Sequence, residues 1–270
     1  MIEPTATVGN YAAVNGLRMY YEVHGSGRPL VLLHGALTTI GTSFGKVLPS
    51  FARDRQVIAI EQQAHGRTAD IDRPFSIEQM ADDTAGLLRQ LNIGNADFFG
   101  YSLGAGIAVQ MAIRHPHLVR KLVVASPAYN NTYLYPEMFS GEEKLRPEDL
   151  VDTEWYKDYV RVAPDPGNWP ALVAKEQQLT REFKGVPPET IRSIRAPTLI
   201  IIGDSDIIRP EHAVEMFRLL GGGVMGDMVG LPRSRLAVLP GTTHVTLVDR
   251  SDWLISMITE FLDAPSERQG

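Results

Sequence analysis

A serine stands between two glycines in the segment Gly100-Tyr101-Ser102-Leu103-Gly104. An apolar stretch typical of a strand precedes this segment, and a pattern typical of a helix follows it. Glycine leaves no Cβ beside the serine, so the chain can make a sharp strand-to-helix turn that exposes the hydroxyl. The Leu103 N–H would then lie at a helix N-terminus, facing any developing anion. Gly-x-Ser-x-Gly also arises by chance in a chain with 24 glycines, but this context predicts Ser102 as a nucleophile.

A serine hydroxyl is a poor nucleophile without a neighbouring base. Among the seven histidines, His244 follows the last predicted strand and precedes the last predicted helix. The carboxyl ends of parallel strands meet at one sheet edge, so His244 and Ser102 are expected at the same edge. The remaining histidines are more simply structural or surface residues. They are His24, His34, His65, His115, His117 and His212.

The base in turn needs a carboxylate that fixes its tautomer and stabilises its charged form. Two candidates, Asp204 and Asp206, follow the apolar run that ends at Ile202. Asp204 could simply cap or bend the loop, because aspartate favours such turns. Asp206 lies further along the loop, and the order 102, 206, 244 matches the order nucleophile, acid, base. Asp206 is therefore the predicted partner of His244.

An oxyanion would need a second backbone donor besides Leu103. The segment His34-Gly35-Ala36-Leu37 leaves a buried strand expected beside the strand that precedes Ser102. This makes the Ala36 N–H the predicted second donor. The alternative is that His34-Gly35 is only a tight exit from the strand, and the two interpretations are compatible.

Short apolar runs alternate with helical patterns along most of the chain. A hairpin with Asn15-Gly16 at its turn opens the sequence, and the apolar run before His34 is typical of a strand buried on both faces. Ser76 and Gln79 predict a capping box at the start of a helix. The pattern as a whole predicts a mostly parallel sheet with helices on both faces, modified by the opening hairpin.

The alternation stops between Pro127 and Ala196 and then resumes. Residues 128–195 hold nine of the 21 aromatic residues but no convincing strand. A lid without its own sheet must bury its apolar side against the rest of the molecule, so some of these rings are expected to line a roofed pocket. The predicted substrate-binding residues are Tyr129, Trp155, Tyr156 and Trp169. The other aromatics of this segment are Tyr133, Tyr135, Phe139, Tyr159 and Phe183.

Composition excludes several other classes of function. The formal net charge is −6, whereas proteins that bind nucleic acids or anionic membranes need a basic surface. With no cysteine there are no disulfides, no thiol catalysis and no cysteine-bound metal. No pattern signals a metal or organic cofactor, and none is expected. The N-terminus does not resemble a signal peptide and no apolar run is long enough to span a bilayer, so a soluble cytoplasmic protein is expected. A homo-oligomer is compatible with the sequence.

Together these motifs resemble the α/β-hydrolase superfamily. The elbow around Ser102, the His34-Gly35 loop, the Gly203–Asp206 segment and the late His244 occur in that family's order, over about Tyr11 to Leu262. The resemblance implies an eight-stranded sheet and a helical cap at 128–195 inserted into a core of 1–127 and 196–270. It also implies a Ser102–Asp206–His244 triad with the oxyanion held by Ala36 and Leu103.

The resemblance is weaker in one turn. Many family members have Asp-x-Arg-Gly-x-Gly-x-Ser where this chain has Glu61–Thr68, without the arginine and the first glycine. This departure does not affect the triad residues, but it means that the turn does not indicate a subfamily. Ser102 argues against haloalkane dehalogenases and epoxide hydrolases, which have aspartate at the elbow.

The resulting hypothesis is a hydrolase of small carboxylic esters that forms an acyl-enzyme on Ser102. The same triad would also serve a lactonase, a hydrolase of carbon–carbon bonds, an amidase or a perhydrolase, because the cap rather than the triad selects the leaving group. A hydrolase-fold receptor that binds its ligand without turnover is the non-enzymatic alternative.

Overall fold

The opening hairpin is present as predicted in the computed structural model, which describes residues 9–130, 135 and 146–265. Strands β1 (Asn10–Val14) and β2 (Leu17–His24) pair antiparallel, with Val14 opposite Leu17. Asn15 and Gly16 both have positive φ, at 47° and 88°. Those angles match the right-handed twist of the flanking strands, so the Asn-Gly turn sets the register.

Six further strands complete one sheet. They are β3 (Arg28–Leu33), β4 (Arg55–Ile60), β5 (Ala96–Tyr101), β6 (Val119–Ala125), β7 (Thr198–Ser205) and β8 (Arg235–Thr243). The order is β1-β2-β4-β3-β5-β6-β7-β8. All pairs from β4 to β8 are parallel, whereas β2 runs antiparallel to β4. This confirms the predicted mostly parallel, eight-stranded sheet.

Helices cover both faces of the sheet, because the parallel strands are apolar on both sides. Alternate residues of β3 belong to different apolar clusters: Val31 packs with helices that carry Met80 and Ile107, and Leu32 packs with helices that carry Phe44 and Ile258. The helices are α1 (Ile40–Phe44), α2 (Leu48–Phe51), α3 (Ile77–Gln90), α4 (Leu103–Arg114), α5 (Glu154–Val162), α6 (Trp169–Glu182), α7 (Pro188–Arg192), α8 (Pro210–Leu219), α9 (Gly226–Val229) and α10 (Ser251–Asp263).

Two local predictions need correction. Ser76 caps α3 by accepting the Gln79 N–H, but the Gln79 side chain does not complete a capping box, since its Nε2 donates to Asp83 at 3.0 Å. The apolar run Leu236–Leu239 predicts a last strand that ends at Leu239, but β8 continues through Pro240 and Gly241 to Thr243, with an irregular register beside Gly203–Ser205. The irregularity lets the chain pass Pro240, which has no N–H to donate, and still pair Thr243 with Ser205.

Within residues 128–195, the described parts contain helices and turns and no strand. Their apolar side chains, including Tyr159, Trp169 and Leu172, join the same cluster as Leu37 and Leu103 of the core. Polar contacts add to this packing: Thr39 donates to Asp158 on α5, and Lys175 on α6 contacts Asp70 at 2.7 Å. We call this segment the cap. Its limits at 128 and 195 remain a prediction.

Candidate active site

Ser102 lies at the sharp turn between β5 and α4. Its φ is 54° and its ψ is −115°, a left-handed conformation that is unusual for any residue except glycine. The turn is held because the Ser102 N–H donates to the carbonyl of Ala125 on β6 at 2.9 Å. A strained backbone that the neighbouring strand holds in place is typical of a functional residue.

The two glycines of the elbow are required by close backbone approach. A Cβ on Gly100 would lie 2.1 Å from the carbonyl oxygen of Gly104, and a Cβ on Gly104 would lie 1.9 Å from that of Leu33. Neither position has room for a side chain, because the obstacle in each case is backbone. The spacing that predicted the elbow therefore has a direct steric cause.

The structure brings Ser102, His244 and Asp206 into one hydrogen-bonded line. The Nε2 of His244 lies 2.9 Å from the hydroxyl oxygen of Ser102, and its Nδ1 lies 2.8 Å from Oδ1 of Asp206. Since a carboxylate only accepts, Nδ1 carries the proton and Nε2 is free to accept from the serine. This is the geometry in which a histidine can remove the serine proton.

Asp206 is fully buried at its side chain and has several partners. Its Oδ2 accepts from the Ser126 hydroxyl at 2.5 Å, and its Oδ1 also accepts from the Ile208 N–H at 3.1 Å. Burial by itself would raise the pKa of Asp206, but the hydrogen bonds from His244, Ser126 and Ile208 and the attraction to His244 outweigh it and lower the pKa. The carboxylate therefore stays ionised beside the histidine.

Asp204, the competing carboxylate, has a different position. It is exposed, and its two oxygens accept from the N–H groups of Gly241 and Thr242 at 2.9 and 3.1 Å. These hydrogen bonds hold the end of β7 to the end of β8, directly before His244, and they lower the pKa of Asp204. Asp204 thus lies within β7 and joins it to β8, and it makes no hydrogen bond to the histidine side chain.

The two predicted oxyanion donors flank Ser102 from different elements. Leu103 begins α4, and Ala36 lies in the loop after β3, where a Cβ on Gly35 would come within 3.4 Å of the Ser102 Cβ. Within the described part of the chain, neither the Ala36 nor the Leu103 N–H donates to another protein group. Both are therefore available for an anion, and their role stays a prediction.

Two buried histidines hold the loop that carries Ala36. His34 contacts the Gly35 carbonyl through Nδ1 at 2.8 Å and accepts the Gln62 N–H through Nε2 at 3.0 Å. His65 accepts the N–H of Leu37 through Nε2 at 3.2 Å. Burial, together with the neighbouring His65, lowers the pKa of His34 to about 3, so it is a neutral structural residue.

The turn 61–68, which differs from the common family pattern, forms a buried network of its own. Glu61 accepts from the Arg67 N–H at 2.5 Å and the Arg67 guanidinium at 2.8 Å. Burial raises the pKa of Glu61 to about 7, although Arg67 opposes the shift. A Cβ on Gly66 would lie 2.3 Å from the Glu61 carboxyl carbon, so this glycine is needed where the turn closes over the glutamate.

The motifs did not predict two contacts of the site. Ser126 donates to Asp206, and the Tyr101 hydroxyl donates to the His244 carbonyl at 2.8 Å. Ser126 could have been suspected, since it follows β6 at the edge where the other site residues lie. Tyr101 gives no such signal, because its position inside the elbow is equally compatible with core packing.

The four cap aromatics predicted to bind substrate lie in different surroundings. Tyr129 is buried and stacks on His212 with ring centroids 4.4 Å apart. Trp169 is buried with Tyr156 and Tyr159 against it, at centroid distances of 5.4 and 5.2 Å, and Trp155 is partly buried beside the core. These contacts serve packing of the cap, and contact with substrate remains a prediction. Tyr133 and Phe139 lie outside the described residues.

The described residues contain no group of three histidine, aspartate or glutamate side chains placed to hold a metal ion. Nor does any helix among them have the length and apolar character that crossing a membrane requires.

Comparisons with known proteins bear on the family and the fold of the chain. Residues 28–168 match the family model described as the alpha/beta hydrolase fold. The 2-hydroxymuconate semialdehyde hydrolase of Pseudomonas sp. (strain CF600) is 26% identical over 280 aligned positions, covering 94% of each chain. The 2-(acetamidomethylene)succinate hydrolase of Mesorhizobium japonicum is 26% identical, covering 89% of this chain and 90% of that one.

Similar architecture is found in a serine hydrolase involved in carbazole degradation. Its crystal structure superposes with a TM-score of 0.77 at 21% identity, covering 95% of this chain and 99% of the other. The match to the family model and the order of the strands lead to the same conclusion. The chain belongs to the alpha/beta hydrolase fold family.

Proposed function

We propose that this protein is a serine hydrolase that cleaves small carboxylic esters through an acyl-enzyme on Ser102. The observation that carries the proposal is the line of hydrogen bonds from Ser102 through His244 to the buried, ionised Asp206, at 2.9 and 2.8 Å. Such a line activates a hydroxyl for attack on a carbonyl. An intact line of this kind weighs against a protein that only binds its ligand.

Each group has a defined task in the proposed reaction. His244 Nε2 takes the proton as the Ser102 oxygen attacks the ester carbonyl, and Asp206 stabilises the resulting imidazolium. The N–H groups of Ala36 and Leu103 receive the negative oxygen of the tetrahedral intermediate. The protonated His244 then gives its proton to the leaving alcohol. Water, activated by the same histidine, cleaves the acyl-enzyme.

A second candidate is hydrolysis of a carbon–carbon bond. The observation in its favour is the similarity over 94% of both chains to a relative named 2-hydroxymuconate semialdehyde hydrolase. The same triad could serve such a reaction, but the cap would have to accommodate a different leaving group. The two candidates differ in the substrate that the enzyme would hydrolyse. Turnover measured on one panel of esters and other substrates therefore distinguishes them.

The testing experiment combines an active-site probe with that panel. A fluorophosphonate should label the wild-type protein once and should not label Ser102→Ala. The same change should lower kcat by several orders of magnitude, because the nucleophile is lost while the fold is kept. Circular dichroism and thermal melting of both proteins provide the control for folding.

The panel contains short esters, lactones, amides and a vinylogous diketone. Turnover of short esters above all others supports the first candidate, and preferred turnover of the diketone supports the second. An unlabelled Ser102 with tight ligand binding and no turnover would instead indicate a receptor. A cytoplasmic location is also part of the proposal, and cell fractionation would test it.

A further inference from the structure

Helix α6 of the cap carries a carboxylate on its apolar face. Its buried residues are Trp169, Leu172, Val173 and Glu176, which recur at the spacing of one helix face. The first three pack in the cluster that contains Leu37 and Leu103. Glu176 therefore extends toward the core with them, over the loop that follows β3.

One oxygen of this carboxylate has no hydrogen-bond partner. The Glu176 side chain is 10% exposed, and its Oε1 is fully buried and makes no hydrogen bond within the described part of the chain. Its neighbour is Nε2 of His65, at 3.2 Å. An ionised oxygen left in this state is costly, so buried polar atoms are normally paired.

His65 does not supply the missing proton. Its Nδ1 lies 2.9 Å from the Gln63 carbonyl, which can only accept, so Nδ1 is the nitrogen that donates. Its Nε2 is then an acceptor, and it already accepts the Leu37 N–H at 3.2 Å. Glu176 Oε1 thus faces a nitrogen with no hydrogen to give.

The adjacent cation of the cap is also occupied. Lys175 contacts Asp70 at 2.7 Å and donates to the carbonyls of Ile71 and Arg73 at 3.0 and 2.9 Å. Its ammonium is held away from Glu176 by these bonds. The charge that α6 presents above the Ala36–Leu37 loop is therefore negative.

This loop also carries the predicted oxyanion donor. Ala36 immediately precedes Leu37, whose N–H is bound by the same His65 that contacts Glu176. Two contacts of 3.2 Å thus connect the orphaned carboxylate to the chain segment beside the reacting carbonyl. Oε1 itself is sealed, whereas the side chain as a whole is 10% exposed, so a substrate nitrogen on that side of Ser102 would reach the carboxylate through its other oxygen.

We infer that Glu176 forms a specificity subsite that binds a hydrogen-bond-donating nitrogen of the substrate, an ammonium group above all. The inference rests on the proposed function, because it concerns substrates of the same site. In a site closed to water, a carboxylate attracts an ammonium and repels another carboxylate far more strongly than in solution. Esters that carry an acidic group should be rejected.

The test compares compact aromatic esters that share a scaffold and differ in the charge of one substituent. One series is the butyrates of 4-ethylphenol, 4-(aminomethyl)phenol and 4-hydroxyphenylacetic acid. A second series places ethyl, aminomethyl and carboxymethyl groups on the acyl part of phenyl 3-phenylpropanoate. In at least one series, the wild-type kcat/KM for the ammonium ester should exceed that for the carboxylate ester by about tenfold to a hundredfold.

The variant Glu176→Gln keeps the side-chain volume and removes the charge. It should lower that ratio by about tenfold, mainly through KM for the ammonium ester. Glu182→Gln is the matched control, because Glu182 is an exposed carboxylate on the same helix. It should leave the ratio unchanged.

Three results would overturn the inference. They are equal wild-type turnover of ammonium and carboxylate esters in both series, an unchanged ratio in Glu176→Gln, or an equal change in Glu182→Gln. The wild-type comparison needs no variant, so it holds even if Glu176→Gln does not fold. Fluorophosphonate labelling separates the two proposals. Labelled protein that turns over neutral esters without charge preference refutes the subsite alone, whereas unlabelled, inactive protein refutes the proposed function.

Discussion

Two aspartates separated by a single residue occupy opposite environments in this site. Asp206 is buried at its side chain and accepts from His244, Ser126 and Ile208, whereas Asp204 is exposed and accepts backbone N–H groups of the neighbouring strand. The difference arises because β7 ends between them, so only the second aspartate turns inward. The same side-chain chemistry therefore serves the histidine in one case and the backbone in the other.

At this scale we expect the two Asp→Asn changes to differ sharply. Asp206→Asn should lower kcat by about 10³–10⁴, because an amide cannot hold His244 in the required tautomer. Asp204→Asn should lower it by about tenfold or less, since it only weakens the connection between the ends of β7 and β8. Steady-state kinetics on a short ester measures both. Equal losses, or a larger loss for Asp204→Asn, would contradict the assignment of the acid.

At the scale of elements, the elbow is a point where backbone meets backbone. Gly104 on α4 packs on the end of β3, so the helix approaches the sheet closely enough to present the Leu103 N–H beside Ser102. This close contact of α4 with β3 positions the Leu103 N–H, and it leaves no room for a side chain at Gly104.

Gly104→Ala should therefore destabilise the protein by about 3 kcal/mol or more, or prevent folding, since its Cβ has no space. Gly94→Ala is the matched control, because a Cβ there meets nothing within 4 Å. It should change stability by less than about 0.5 kcal/mol. Urea unfolding, or the soluble yield when unfolding cannot be followed, measures both. Similar behaviour of the two variants would refute the steric explanation.

The cap is the element that should limit substrate size. Its aromatic residues pack with the core cluster, and Lys175 and Asp158 hold it to the core, so a pocket beneath it would have limited volume. We expect kcat/KM for esters differing only in acyl length to fall beyond about eight carbons, where further methylenes find no room. A continued rise through long chains, or activation at an oil–water interface, would indicate a lipase.

For the whole molecule, two buried histidines couple stability to pH. Burial lowers the pKa of His34 to about 3 and that of His212 to about 4, so both stay neutral in the folded protein. Below pH 6.5 the unfolded chain binds protons that the folded protein does not, and stability is lost as the pH falls. Each histidine should therefore make the free energy of unfolding about 2 kcal/mol lower at pH 5 than at pH 7.

The measurement is urea unfolding between pH 5 and 7. The variant His212→Gln should reduce the slope of unfolding free energy against pH by about 1.4 kcal/mol per pH unit near pH 5, equivalent to one proton. His117→Gln, at an exposed position, should leave the slope unchanged. An unaltered slope in His212→Gln would show that this histidine is not held neutral by burial.

Sequence patterns alone predict the sheet, the order of its elements and the segments that meet at its carboxyl edge. Apolar runs and the Asn15-Gly16 turn are local signals, and parallel strands necessarily bring their ends together. Local chemistry also singled out Ser102, because a serine between two glycines has few other uses between a strand and a helix.

Features that depend on packing between distant segments are visible only in the folded molecule. The extension of β8, the hydrogen bond from Ser126 to Asp206 and the contact of Glu176 with His65 join residues far apart in the chain. No spacing rule contains them, because burial and hydrogen bonding there depend on how the cap and strands approach one another. Sequence patterns predict which elements form, whereas the hydrogen-bond partners of each polar group depend on how those elements pack.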